Sequence, residues 1–332
     1  MELFIGVKGF VMKPVIYVFL TIFLTAGIVF AQGNQPESKN IVKVEADPAK
    51  GFAYPYYLYI PAVLQDGKAK NQTHNLLVIP NNTGTGNDDL AVHEKNVKQK
   101  MAQVDLAFGK LKVPVLMPVF PRPATDWKIY TQALDRDSLL TEKAEFKRFD
   151  LQLAAMIEHA RARFAAENIK TDERVWMYGF SAAGMFVNRF AFLHPDMVKA
   201  VASGSPGGWA IAPSEKFNGK ALRYPLGTGD FKTITGKKLD SKNLRKVAFF
   251  IFMGEKDDND SLVFGDGYDE EDKTLAFELF GKTPLERWEI SRKLYEENKL
   301  PAQFKLYPDT AHKVTPAMIM DVQAFFEKHA NK

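Results

Sequence analysis

Not one of the 332 residues is a cysteine. That absence excludes disulfides, thiolate zinc sites, iron–sulfur clusters, a lipid-attachment cysteine and a cysteine nucleophile, so any nucleophile must be another residue type. A run of one charge is missing too: 44 Lys+Arg against 40 Asp+Glu leave a net +4, and the basic residues are scattered. Nucleic acid is therefore not an implied partner. The chain holds neither an internal repeat nor a low-complexity tract. What it does hold is 46% hydrophobic and 12% aromatic residues, enough to bury a large core, which excludes disorder as the overall state. The length suits one large α/β domain or two medium ones.

Val15 to Phe30 reads VIYVFLTIFLTAGIVF, preceded by Lys8 and Lys13 and followed by Ala31 and polar Gln32. The run is shorter than the roughly 20 residues of a membrane-spanning helix, and small residues precede the expected cut, so residues 1–31 read as a secretory signal. An uncleaved anchor is the alternative. Met12 opens a compact signal of its own, leaving the start at Met1 or Met12 open. The mature protein is then expected to be secreted or periplasmic. Residues 32–40 read as a flexible leader, and 41–332 as one domain.

Within that domain, short β-branched or aromatic runs alternate with helical periodicity. Strands are expected at 56–60, 76–80, 113–117, 174–178, 200–203, 247–253 and 303–307. Several are apolar throughout, as strands covered on both faces are. Phe149, Leu153, Ile157, Ala160 and Phe164 form a helical stripe; Phe186, Phe190 and Leu193 repeat it, as do Met318, Ile319, Val322 and Phe326 behind a Thr315-Pro316 helix start. This alternation predicts an α/β fold with a mostly parallel sheet flanked by helices. Residues 209–245 and 255–285 fit it poorly and are expected to be insertions passing over the edge of the sheet where substrate would lie.

Val175 to Phe186 reads VWMYGFSAAGMF, a serine between an apolar strand and an amphipathic helix with small residues on both sides. This is the nucleophile-elbow pattern, with Ala183 in place of its usual last glycine. A serine on such a turn projects its hydroxyl outward, and the helix N-terminus offers N–H groups to a developing oxyanion. Ser181 is thus the candidate nucleophile. It needs a base, and elbow folds order the residues serine, acid, histidine. Of six histidines, His312 lies in a loop after the last apolar strand and before the last helix, where the base belongs. The acid is expected just after the strand at 247–253, in Gly254-Glu255-Lys256-Asp257. Asp257 is favoured, with Asp258 and Asp260 as competitors.

One oxyanion donor is assigned to the N–H of Ala182 and the other to Asn82 or Thr83, in the glycine-containing segment Asn81-Asn82-Thr83-Gly84-Thr85-Gly86. No Gly-Lys-Ser/Thr follows it, so it is not a phosphate loop. The acids from Asp266 to Asp272 lack the regular spacing of an EF-hand loop; a solvated acidic loop is expected there rather than a calcium site.

Together these residues resemble the α/β-hydrolase superfamily over most of the mature chain. The Tyr57-Leu58-Tyr59-Ile60-Pro61 strand, the Gly179 to Gly184 elbow, Leu193-His194-Pro195-Asp196 and Gly204-Ser205-Pro206-Gly207-Gly208-Trp209 are similar to secreted esterases of the polyhydroxybutyrate-depolymerase and feruloyl-esterase type. The resemblance implies a secreted serine esterase without metal or organic cofactor, acting on a small-molecule or polymeric ester. It also implies that Trp209 lies against the acyl group, core packing being the other reading of that indole. Many such esterases use disulfides, and this chain departs from them there. The rival readings are a secreted serine peptidase of the same fold and a catalytically inactive hydrolase-like protein that binds a surface glycan or lipid.

Overall fold

A computed structural model describes residues 40–65 and 72–330. The expected signal at 1–31 and nearly all of the leader at 32–40 lie outside these residues. Among the described residues no helix is long and apolar enough to cross a membrane.

Eight strands form the central sheet: β1 (Ile41–Val44), β2 (Tyr56–Tyr59), β3 (Leu77–Val78), β4 (Val115–Pro118), β5 (Val175–Phe180), β6 (Val198–Gly204), β7 (Ala248–Gly254) and β8 (Ala302–Tyr307). Their spatial order is β1-β2-β4-β3-β5-β6-β7-β8. β2 pairs antiparallel with both neighbours, and every pairing from β4 to β8 is parallel. The expected α/β class with a mostly parallel sheet is what forms. β2, β4, β6 and β7 are buried along their whole length, which is why β2, β4 and β7 read as unbroken runs of apolar or aromatic residues. β6 starts two residues earlier than its apolar run predicts. It contains Lys199, buried because its ammonium reaches Asp172 at 2.6 Å and the Ala330 carbonyl at 2.9 Å.

Helices α1 (Leu90–Ala102), α2 (Phe149–Ala166), α3 (Ala182–Leu193), α4 (Glu270–Leu279), α5 (Pro284–Glu297) and α6 (Pro316–Lys328) surround the sheet. The α2 stripe of Phe149, Leu153, Ile157, Ala160 and Phe164 is fully buried in one of two clusters that lie on the sheet. The other cluster takes Met318, Val322 and Phe326 of α6. Thr315 caps α6 by accepting from the Met318 N–H at 3.2 Å, with Pro316 at its first position.

The two stretches expected to be insertions, 209–245 and 255–285, hold more regular structure than their weak periodicity suggests. They contain a hairpin at 216–221, short helices, and α4, closed by a reciprocal Asp269 and Asp272 cap. Trp209, Leu222, Leu226, Leu262, Tyr268, Ala276 and Phe280 from these segments form a third cluster with Ala182 and Met185 of α3. That cover explains why α3 is buried on nearly every face.

One buried carboxylate ties α3 to α2. Asp150 accepts from Arg148 Nε and Nη2, both at 2.8 Å, and stands 2.9 Å from Nε2 of His194 at the end of α3. Burial works to raise its pKa, but these hydrogen bonds prevail and hold it at about 2. A folded pKa below the unfolded value near 3.8 stabilises the fold above that value, and the contribution is lost as pH falls toward about 2. Asp150→Asn is expected to lower the unfolding free energy by about 2 kcal/mol at neutral pH. Denaturant titrations over a pH series would show the gap from wild type closing on acidification; a gap independent of pH would contradict the account.

Candidate active site

The register of the parallel strands decides which side chains can meet. Phe180 on β5 pairs with Gly204 on β6, Gly204 with Phe252 on β7, and Gly254 with Tyr307 on β8. These strands therefore end together at one edge, and Ser181, Asp257 and His312 all lie in the segments that leave it. Crevices at the carboxyl ends of such strands are the usual ligand sites of open α/β sheets.

Ser181 joins β5 to α3 with φ 61° and ψ −127°, a conformation that L-residues rarely adopt. The sharpness of the turn leaves no room beside it. A Cβ added to Gly179 would lie 2.1 Å from the Ala183 carbonyl oxygen. Ala183 itself is buried without conflict, so the departure from glycine there is accommodated. As the first residue of α3, Ala182 has an N–H with no intrahelical acceptor.

The acid and base segments are laced together before their side chains meet. The Glu255 N–H donates to the Tyr307 carbonyl at 2.9 Å, and the Lys256 N–H to the Thr310 carbonyl at 2.9 Å. Gly254 allows this approach, since a Cβ there would fall 2.1 Å from the Thr310 oxygen. His312 Nδ1 then lies 3.0 and 2.9 Å from the two Asp257 carboxylate oxygens. A carboxylate only accepts, so Nδ1 carries the hydrogen, and in the neutral ring Nε2 presents its lone pair. Burial works most strongly, to raise the Asp257 pKa, but its hydrogen bonds, led by that from His312 and including the Asn259 N–H, together outweigh it and keep the carboxyl below its ordinary value. The imidazole packs 4.9 Å, centroid to centroid, from the ring of Phe180, the residue before Ser181.

Of the competing acids, Asp258 is exposed and Asp260 is engaged elsewhere. Asp260 pairs with the buried Arg287 at 2.5 Å and accepts from the Leu262 N–H at 3.1 Å. Three other histidines have partners of their own. His159 is bonded to Tyr56 Oη at 2.7 Å, His194 to Asp150, and His93 to Thr83 Oγ1 at 2.7 Å and the Asn87 carbonyl at 2.8 Å.

Asn82 and Thr83 differ sharply. The Thr83 N–H already donates to Gln132 Oε1 at 2.9 Å, whereas Asn82 N–H appears as donor in none of the described hydrogen bonds. Asn82 instead holds its loop with its side chain, accepting from the Gly84 N–H at 3.0 Å and donating to the Phe180 carbonyl at 3.4 Å. Lys100, partly buried on α1, donates to the Asn82 carbonyl at 2.7 Å, and desolvation lowers its pKa to about 8. Gln132, Lys100 and Arg122, which donates to the Gly84 carbonyl at 2.7 Å, all act on this loop and were not singled out from the sequence. No local motif marks a side chain that reaches a distant backbone.

Trp209 departs from the role that the resemblance implies. Only 3% of it is exposed; it stacks on Phe280 at 4.1 Å and donates through Nε1 to the Leu226 carbonyl at 2.9 Å. It fills the core under the insertions. The acidic stretch is also not simply solvated: Asp269, Glu271 and Asp272 surround the Arg223 guanidinium at 2.9, 2.7 and 2.7 Å. Asp266 pairs with Arg122 at 3.0 Å. Among the described residues no cluster of His, Asp and Glu is arranged to hold a metal. Asp266, Trp127 and Phe264 line a cleft of about 350 Å³ that the Arg122 side chain links to the Asn82–Gly84 loop.

No family model and no curated protein matches this sequence. Solved structures do. Poly(aspartic acid) hydrolase-1 from Sphingomonas sp. KT-1 is similar with a TM-score of 0.55 at 19% identity, over 86% of this chain and 97% of its own. LpqC, a poly(3-hydroxybutyrate) depolymerase from Bordetella parapertussis, gives 0.53 at 18%, over 89% and 92%. The chain has the α/β-hydrolase fold. In this hydrolase fold the elbow is the tightest packing constraint. Gly179→Ala is expected to cost about 1–3 kcal/mol, because the obstructing atom is backbone and cannot swing aside. Equilibrium denaturation would check it, and unchanged stability would show that the turn is looser than described.

Proposed function

We propose that this chain is a serine hydrolase that cleaves carboxylic esters through an acyl-enzyme. The observation that carries the reading is the conjunction of a strained serine at the end of β5 with an Asp257–His312 pair in the adjoining loops of the same sheet edge. Ser181 Oγ attacks the ester carbonyl while His312 Nε2 takes its proton. The resulting imidazolium is stabilised by the ionised Asp257, which also keeps Nδ1 protonated and the ring in place. The tetrahedral oxyanion is held by the N–H groups of Asn82 and Ala182. As it collapses, the carbon–oxygen bond to the leaving alcohol breaks and the alcohol departs with the proton from His312. Water then repeats the sequence on the acyl-enzyme, His312 acting as base, and releases the acid with Ser181 restored. No step in this sequence calls for a metal or organic cofactor.

Ester rather than amide is the first reading because the elbow sequence resembles the depolymerase and feruloyl-esterase type. The similarity to a poly(aspartic acid) hydrolase favours an amide-cleaving enzyme as the second. The apolar run at 15–30 supports export, so a small or polymeric ester outside the cytoplasm is the expected substrate class.

Ser181→Ala is expected to reduce turnover of a short p-nitrophenyl ester by at least about 10³-fold with an unchanged melting temperature. Retained turnover would refute the assignment, and wild-type turnover of amides but not esters would favour the second reading. Failure of the wild type to label with a fluorophosphonate probe would instead support an inactive binding protein. Asp257→Asn is expected to lower kcat by about 10⁴-fold through loss of the productive His312 tautomer, with labelling correspondingly slow; a loss below tenfold would give the orienting role to another group.

A further inference from the structure

Lys100 is a cation placed where a neutral residue would be expected. It is partly buried, and among the described residues no carboxylate lies within ion-pairing distance of it. Its ammonium donates to one group, the Asn82 carbonyl, at 2.7 Å. The other end of that same peptide unit, the Thr83 N–H, donates to Gln132 Oε1 at 2.9 Å. Gln132 is wholly buried and its Nε2 is fixed on the Phe120 carbonyl at 2.7 Å. The peptide plane between residues 82 and 83 is therefore gripped at its oxygen from α1 and at its hydrogen from the segment after β4. On the preceding side, Asn81 exchanges hydrogen bonds with the Phe120 backbone at 2.8 and 3.0 Å. The unit left between these two fixed points is the one whose N–H is the second oxyanion donor.

We propose that Lys100 is a positioning residue, clamping the 82–83 peptide against Gln132 so that the Asn82 N–H points at the oxyanion formed on attack by Ser181. This deepens the functional reading and rests on it for its catalytic consequence. A charged donor suits the task because its bond to a carbonyl is stronger than a neutral one, and the cost of desolvating an unpaired ammonium argues for a structural return at this carbonyl. The clamp acts on a donor used in the transition state, so removing it should alter kcat and leave ground-state binding nearly untouched.

The test compares Lys100→Met, which keeps the side-chain length, and Lys100→Arg, which keeps a charged donor, in two assays. In the first, amide hydrogen exchange is followed at Thr83 in the full chain without substrate. Lys100→Met is expected to speed exchange about tenfold and Lys100→Arg to recover part of the protection. In the second, kcat for a p-nitrophenyl ester is expected to fall about tenfold in Lys100→Met, with KM within about twofold of wild type and partial rescue by Arg. Unchanged Thr83 exchange overturns the clamp. Faster exchange with unchanged kcat overturns its catalytic role, as does a kcat loss that Arg does not relieve. Exchange needs no turnover, so a wild type inactive on every ester would sink the functional reading alone. If Lys100→Met does not fold, Lys100→Gln takes its place in both assays.

Discussion

A serine at φ 61° and ψ −127° lies in a region whose occupation by a residue with a Cβ costs on the order of 1–3 kcal/mol, and the whole edge of this molecule is organised around keeping it there. The strain is borne by packing together with two backbone hydrogen bonds, from the Ser181 N–H to the Gly204 carbonyl and from the Met185 N–H to the Ser181 carbonyl, both at 2.9 Å. Gly179 lets β5 and α3 approach until backbone nearly touches backbone. The insertions cover α3, so its first turn cannot relax outward. Asp150 holds the far end of the same helix through His194. An exposed α3 would have an easy route out of the elbow; a helix buried on nearly every face has none.

The same logic governs the loops around the serine. Asp257 and His312 do not find each other by side-chain attraction alone, because their backbones are already joined by two hydrogen bonds across the β7 and β8 exits. The short Nδ1–carboxylate contacts are a result of that lacing as much as a cause of it. Preorganisation of this kind reduces the reorganisation needed when charge moves during attack. It also sets a demand on Gly254, where any side chain would separate the two loops.

Much of this was legible from the sequence, and the reason is period and punctuation. Apolar runs at 175–178 and 247–253 mark strands buried on both faces, Phe149 to Phe164 marks a helix stripe, and Gly-Phe-Ser-Ala-Ala-Gly between strand and helix marks the elbow. Those signals are local. The failures are also of one kind. β6 begins at Val198 although Lys199 reads as surface, because the charge is satisfied by Asp172, 27 residues away in the chain. Trp209 read either as a surface for an acyl group or as core packing, and its partners Phe280 and Leu226, which decide for the core, lie far along the chain. The acids at 269–272 read as solvated, and Arg223, far off in the chain, gathers Asp269, Glu271 and Asp272. Each miss is a long-range partner that no window of sequence contains.

Other protected cations set Lys100 in context. Arg223, Arg287, Arg122 and Lys199 each enter a protected setting beside a carboxylate, as burial of a charge ordinarily requires. Lys100 does so facing only a backbone carbonyl, and its lowered pKa is the mark of that missing counter-charge. A leucine or methionine would pack in the same place with less desolvation. What it would not do is hold the oxygen of the 82–83 peptide, whose Thr83 N–H is fixed by Gln132 on the other side. Lys100 shares the missing counter-charge with the buried Arg189, whose guanidinium likewise donates to backbone carbonyls, those of Ala133, Leu134 and Gly267, with no ion-paired carboxylate among the described residues. Cations with carboxylate partners hold elements together, whereas these two hold backbone, and the backbone held by Lys100 is a single peptide of the Asn82–Gly84 loop.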